Sequence, residues 1–370
     1  MGSRRAGRSP GELRFGIVGP GKVAQIHADA LARIPGVRLA AVAGRNEARA
    51  AAIAGPHGAR VDPSLEVLIE RGGVDAVIVC TPHPMHAEQA IAAATAGLHV
   101  VIEKPMALTP EDCQAMIAAA DSAGVMLSII GQRRWYAPVR RMKEAIEGGR
   151  IGTPALATLE MLGWRGPEYY AMDLWRGTRT GEGGGVLVNQ AIHNLDLAVW
   201  FLGPALAVDS WITNVNHPEI EVEDSAVALV RFASGAVGTI VASNSQRPGL
   251  YTRIHAHGQS GASVGVKTDG GSMFVAGVSK PSIATLDLWT IPGEEAMISQ
   301  WNRDDRAALD GVDLASHHHE LQLRDIVGAI QEGRRAQVTG VDGLHAVDLM
   351  AAIYQASASG HRVVIPERPS

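Results

Sequence analysis

Cysteine is almost missing from this chain: of 370 residues, only Cys80 and Cys113 carry thiols. Both lie in apolar or alanine-rich surroundings without metal-ligand spacing, which excludes a disulfide-stapled fold and a cysteine metal centre and suits a reducing, cytoplasmic setting. No stretch reaches the ~18 uncharged apolar residues of a membrane span. Cations are not in excess either, with 33 Lys+Arg against 38 Asp+Glu and a net charge of -5. Phosphate backbones require clustered cations, so a nucleic-acid surface is excluded and small-molecule chemistry is favoured. Arg4, Arg5 and Arg8 precede no apolar h-region, so residues 1–12 read as a disordered leader, not as an export signal. Aromatic residues make up only 4% of the chain, which makes any grouping of them informative.

What is present divides into two halves. From Leu13, the apolar runs "LRFGIVG", "VRLAAVAG", "VDAVIVCT", "LHVVIE" and "VMLSIIG" alternate with helical stretches such as "KVAQIHADALARI" and "HAEQAIAAATAG". Continuous apolar strands separated by helices predict a doubly wound parallel sheet covered on both faces. After about residue 135 the rhythm changes. A linking helix, "VRRMKEAIEGGRIG", precedes the strands "ALATLEML", "AVDSWIT", "SAVALVRF", "AVGTIVASN" and "YTRIHAHG", and two helices close the chain. The pattern predicts an α/β protein with a dinucleotide-binding Rossmann domain over 13–135 and a second α/β domain over 136–370. The second domain carries an open mixed or antiparallel sheet.

In "GIVGPGKVAQIH", Gly19, Gly21 and Ala24 follow a strand and open a helix in a G-x-G-x-x-A arrangement. The first glycine permits the turn, the second admits a pyrophosphate, and the small third residue lets helix and strand pack. Lys22 and Val23, at the helix start, are candidate cofactor contacts. An acid that reads the adenosine ribose belongs about 20 residues further on. Here "AVAGRN" offers Gly44 and then Arg45, whose guanidinium suits a 2′-phosphate, so NAD(P)(H) is expected, with NADP(H) slightly favoured.

Strand ends in such sheets carry the reacting groups. "HVVIEKPMALTP" places Glu103 and Lys104 at one of these ends. Pro105 stiffens the turn, and Thr109 caps the next helix. A lysine paired with Glu103 or a neighbouring acid competes with a functional reading. In "GEGGGVLVNQAIHNLDLAVWFLG", Asn189, His193, Asp196 and Trp200 fall on one helical stripe. Either the stripe forms a satisfied core network, or it lines a pocket opposite Lys104, with Gly183, Gly184 and Gly185 admitting a ligand. Asp196 either holds the His193 imidazole or packs helices.

Together, "GPGKVA", "CTPHPMHAEQA", "EKP" and "GGGVLVNQAIHNLD" resemble the glucose-fructose oxidoreductase, inositol dehydrogenase and rhizopine-catabolism (Gfo/Idh/MocA) family, from Leu13 to about Pro366. The resemblance implies that Lys104 touches both substrate and nicotinamide ribose and that His193 is the catalytic histidine. It also implies cofactor contacts near Thr81, His83, His86 and Glu103, and a homodimer or homotetramer built through the C-terminal sheet. One departure is Asn189, where many polyol-oxidising members carry aspartate; an amide orients a hydroxyl but cannot act as a base.

The implied reaction moves a hydride between nicotinamide and a secondary hydroxyl or ketone of a sugar, glycoside, cyclitol or sugar nucleotide. His193 or Lys104 serves as the proton acceptor. Trp164, Tyr170, Trp175 and Arg176 are candidate substrate contacts, because aromatic faces suit sugar rings. "SHHHE" at 316–320 reads as a solvated first turn capped by Ser316, with a border of the pocket by one of its imidazoles left open; successive histidines point around a helix, so no metal is assigned. A redox-neutral glycoside hydrolase or lyase and a non-catalytic sugar and nicotinamide sensor are the alternatives.

Overall fold

A computed structural model describes residues 12–268 and 282–368; apart from Glu12, the expected leader lies outside the described residues. In the first half, β1 (Leu13–Val18), β2 (Val37–Ala43), β3 (Arg60–Asp62), β4 (Ala76–Val79), β5 (His99–Ile102) and β6 (Leu127–Ile129) form one sheet. Its order is β3-β2-β1-β4-β5-β6, and every pair is parallel. Helices α1 (Lys22–Leu31), α2 (Glu47–Ala54), α3 (Leu65–Arg71), α4 (His86–Thr95) and α5 (Pro110–Ala123) connect the strands. Alternate residues of β4 serve two cores. Val77 and Val79 join the cluster containing α4 and α5 residues, and Ala76 and Ile78 join the one containing α1 and α2 residues. Burial on both faces is why these strands read as unbroken apolar runs.

Helix α6 (Ala137–Glu147) leads into the second half. It contains β7 (Pro154–Leu162), α7 (Pro167–Tyr170), α8 (Ile192–Leu202), β8 (Ala205–Thr213), β9 (Ser225–Phe232), β10 (Val237–Ser243), β11 (Tyr251–Gly258), β12 (Ser263–Thr268) and β13 (Thr285–Trp289). Helices α9 (Met297–Ala308), α10 (Leu314–Glu332) and α11 (Gly340–Ser359) follow, then β14 (Val363–Val364). The sheet runs β13-β12-β11-β7-β10-β9-β8-β14; β7 and β10 are parallel and the other pairs antiparallel. Strand β9 alternates buried and exposed residues, so one face is covered and the other open. The open face shows Leu156, Trp211, Val227, Leu229 and Val237, all more than two-fifths exposed.

The sequence reading passed over β3, β12, β13, β14 and α9. The strands are only two to six residues long and α9 is rich in charge, so each alternation or apolar stripe is too short or too diluted to stand out. The last two long helices return to earlier elements. Leu323, Ile326 and Val327 of α10 join the core built on Ala24, Ala28 and Leu31 of α1, while α11 packs on α5, α8 and β8. Among the described residues, no helix is long and apolar enough to cross a membrane.

Candidate active site

The carboxyl ends of β1, β2, β4 and β5 open into a cleft of about 1260 Å³. At its floor, Gly19 has φ +93°, and a Cβ there would stand 2.8 Å from the Cys80 backbone, so only glycine fits. Gly21 is different: a Cβ built on it meets nothing within 4 Å. The space beside Gly21 faces the cleft, and α1 begins there without a side-chain cap, so backbone amides and the helix dipole face a phosphate site. Lys22, Val23, Arg45, Arg49 and Thr81 line the same wall. Gly44 has a steric origin: a Cβ there would lie 2.2 Å from Cδ of Pro20. The proline ring fills the place where a ribose-binding acid would start. The residues present therefore fit a dinucleotide.

Lys104 and His193 come from different halves of the chain and line this one cleft. The Lys104 ammonium does not pair with Glu103; it donates to the Asn189 carbonyl at 2.9 Å and to Asn189 Oδ1 at 3.2 Å. The Lys104–Pro105 peptide is cis. Burial pulls the lysine down to about 8, against the raising pull of Glu103 and Glu182. His193 is held well below its usual value by burial first, then by Lys104 and Arg133, so its imidazole is neutral at pH 7. Asn189 sits in a π turn over Leu187–Ala191 that runs into α8. Such turns recur at functional sites because they shift the phase of a helix face. Here Asn189 Nδ2 donates to the Tyr169 hydroxyl at 3.0 Å and to the Glu182 carboxylate, and Gln190 Nε2 donates to the same hydroxyl at 3.1 Å.

Several expectations need correction. Gly183, Gly184 and Gly185 admit protein, not ligand: Cβ atoms there would strike Leu108 at 2.4 Å, the Tyr354 hydroxyl at 2.3 Å and the Glu223 carbonyl at 1.7 Å. The buried Glu223 carboxylate accepts from Gly185 N at 3.1 and 3.0 Å, Leu187 N at 3.1 Å and Tyr354 OH at 2.7 Å, which fixes the start of the Asn189 helix. Trp164 and Tyr170 turn away from the cleft and pack on His217, with ring centroids 5.6 and 5.2 Å away. Arg165 and Tyr169, each one residue off, line it instead, alongside Trp175 and Arg176. The Arg176 guanidinium lies 4.4 Å from the Tyr169 ring centroid and 4.5 Å from that of Trp175, and it pairs with Asp173 at 3.1 Å. Asp196 does not hold His193; both its oxygens take Arg134, at 3.0 and 2.6 Å, a helix-packing contact.

The histidines also differ from the reading. His86 and His83 both line the cleft, but His86 is buried, and its ring nitrogens reach the carbonyls of Pro105 at 2.8 Å and Thr81 at 2.9 Å and clasp two strand-end turns together. His83, also buried, meets the Glu182 carbonyl at 2.8 Å and packs against Trp175. Asp313, not Ser316, caps α10, and His318 and His319 are buried instead of solvated. His319 faces the cleft and stands edge-on to His27, ring centroids 5.2 Å apart. His27, Glu182, Gln190 and His319 were not among the predicted site residues. His27 had a sequence signal, since "KVAQIHADAL" places it on the face of α1 that buries Ala24, Ala28 and Leu31.

Comparison with known proteins places the chain in a family. Residues 13–130 match the profile of the oxidoreductase family with an NAD-binding Rossmann fold, and residues 139–264 match the GFO/IDH/MocA C-terminal domain. The solved WlbA dehydrogenase from Bordetella pertussis, in complex with NADH and UDP-GlcNAcA, is 30% identical. It aligns over 98% of this chain and 100% of that one, with a TM-score of 0.86. The 1,5-anhydro-D-fructose reductase of Ensifer adhaerens is 29% identical over 95% of this chain and 98% of its own. The myo-inositol 2-dehydrogenase of Thermotoga maritima is 28% identical over 90% and 92%.

Proposed function

This chain belongs to the GFO/IDH/MocA oxidoreductase family, and from that premise we propose that it moves a hydride between NAD(P)(H) and a secondary hydroxyl or ketone of a carbohydrate-like substrate. The observation that carries this reading is the convergence of the Lys104 amine, the Asn189 amide and the His193 imidazole on the cleft that also holds the glycine turn. The bound nicotinamide would supply hydride acceptance and donation. The chain's own residues handle the proton and the orientation. With its value near 8, Lys104 exists partly as a free amine at neutral pH and takes the hydroxyl proton; as an ammonium it returns that proton in the reducing direction. A neutral His193 orients the hydroxyl by hydrogen bonding. The Tyr169, Trp175 and Arg176 wall presents aromatic faces and a cation to a polar ring.

Purified protein is mixed with a carbohydrate panel and either dinucleotide, and nicotinamide absorbance is followed. Lys104→Ala is expected to lose turnover by about 10²–10⁴-fold while retaining dinucleotide binding. Full activity in that variant would end the proposal. Turnover of product without net change in nicotinamide would favour the hydrolase or lyase alternative.

Two finer assignments follow. Arg45 and Arg49 line the adenosine end beside the acid-free Gly44, which supports a slight preference for NADP(H). The open apolar strip of Leu156, Trp211, Val227, Leu229 and Val237 supports a homo-oligomer that closes sheet against sheet.

A further inference from the structure

Lys104 follows a buried carboxylate in sequence, and yet its ammonium bonds to Asn189 instead. A carboxylate out of water is costly unless it is paired and hydrogen-bonded, and an ammonium one residue away is an obvious partner. Glu103 is instead satisfied elsewhere. Its Oε1 accepts from Nε2 of His27 at 2.7 Å, and its Oε2 accepts the backbone N–H of Lys104 at 3.1 Å. His27 is 0% exposed and lies on α1, the helix whose start faces the phosphate site. His319, from α10, stands edge-on against it. Three parts of the fold therefore meet beside Glu103, and polar side-chain atoms of His27, Glu103 and His319 lie within 4.8 Å of one another.

We infer that His27 is a positioning residue that holds the Glu103 carboxylate away from the Lys104 amine, leaving the amine to Asn189 and the substrate hydroxyl. This rests on the assignment of Lys104 as the proton-transfer group. Burial pushes Glu103 up, and the His27 hydrogen bond is the largest influence that opposes it, bringing it to about 2; His319 and Lys104 add smaller attractions. Take His27 away and the carboxylate has one buried oxygen without a donor. The His319 ring, held neutral within 4.8 Å, and the Lys104 ammonium, one residue along the chain, can each supply one, and of these two the ammonium brings the opposite charge. That pairing would turn the amine from Asn189 towards the back of the cleft and hold it charged. The other groups that act on the amine are Glu182, Arg133 and Arg176. His83, His86, His193 and His319 feel its charge in turn, and Cys80 feels that of Glu103. His319 also feels His27 directly, so a change in the titration of Lys104 is assigned to the Glu103 contact by comparing the truncated variant with one that also lacks the Glu103 carboxylate.

The test uses the full-length protein and two readouts. The first is the pH dependence of acylation of the Lys104 amine, followed by peptide mass spectrometry, which needs no turnover. The second is the pH profile of kcat/KM for hydroxyl oxidation. In His27→Ala the acylation midpoint should rise by about one pH unit or more, equivalent to roughly tenfold less free amine at neutral pH. Oxidation should fall by about the same factor near pH 7 and recover at higher pH, with dinucleotide affinity unchanged. His27→Gln should stay at the wild-type midpoint, because its amide N–H reaches the place of the imidazole Nε2–H. Glu103→Gln should move the midpoint down, and the double variant His27→Ala/Glu103→Gln should follow Glu103→Gln. If His27→Ala does not fold, His27→Asn, too short to reach Glu103, replaces it. An unmoved or lowered midpoint in the truncated variant, or a double variant that behaves like His27→Ala alone, overturns the inference. Activity retained in Lys104→Ala together with the raised midpoint would sink the functional reading and leave the positioning role standing.

Discussion

Asn189→Asp restores the carboxylate that many polyol-oxidising relatives of this type carry, and here it should impair the enzyme. In the wild type the Asn189 amide donates to Glu182, a side chain only 1% exposed whose other oxygen takes Gly177 N at 2.6 Å. Burial already raises Glu182 above the usual carboxylate range. An aspartate in the same pose has no N–H to give and sets two carboxylates in contact. At ~4 Å and an effective dielectric constant of ~20, that repulsion is about 4 kcal/mol, or roughly three pKa units. The pair should therefore keep one proton near neutral pH and release it only in alkali. Once released, two negative charges stand beside Lys104 and push its amine above the value of about 8 that it has in the wild type. Oxidation needs the free amine, so raising that value removes active enzyme at any pH below it. Wild-type kcat/KM should climb with pH and level off above about 8. In Asn189→Asp the midpoint should move up by about one unit, lowering kcat/KM by up to roughly tenfold in the alkaline range where the pair carries both charges, with a smaller loss near pH 7.5. Initial rates between pH 6 and about 10.5, with thermal melts at each pH, make the measurement. A variant midpoint at or below the wild-type one, or higher activity at neutral pH, would show that the carboxylate acts as a base and refute the argument.

Gly185→Ala should lose about 3 kcal/mol or more in urea denaturation, because its Cβ would enter the Glu223 carbonyl and break the carboxylate's bonds to the helix start; a loss below about 1 kcal/mol would contradict this. Wild-type protein should show a lower KM for NADP(H) than for NAD(H), and a tenfold preference the other way would reject the role of Arg45. Gly44→Asp alone should weaken both dinucleotides by displacing Pro20, whereas Gly44→Asp/Pro20→Ala should turn the preference towards NAD(H). Trp211→Glu, at a 72% exposed position on the open sheet face, should reduce the particle mass in sedimentation equilibrium; an unchanged mass would move the interface elsewhere.

Much of the first half was legible because its physics is local. Continuous apolar runs mark strands buried on both faces, and Thr109 caps α5 through Asp112 N at 3.1 Å, as its position before Pro110 predicts. Edge strand β3 was invisible, since "RVD" is three residues long and two of them are charged. In the site, the polar stripe of α8 was correctly seen as polar but not correctly apportioned. Asn189 meets Lys104, while Asp196 goes to Arg134, and the Trp200 ring lies under the same guanidinium at 5.1 Å. A π turn shifts the helix phase between them, and no propensity reports that.

The sequence by itself determined the alternation of long strands and helices in the first half, the glycine turn that opens α1, the lysine at the end of β5 and the histidine on α8, because each follows from periodicity, backbone freedom or a neighbouring proline. Only the tertiary structure decided which polar groups satisfy one another. It assigned Glu103 to His27 instead of Lys104, filled the space beside three glycines with Leu108, Tyr354 and Glu223, and put His319 of α10 at the cleft. Those outcomes depend on burial and on the approach of segments far apart along the chain, where a polar atom must find whichever partner the packing brings within reach.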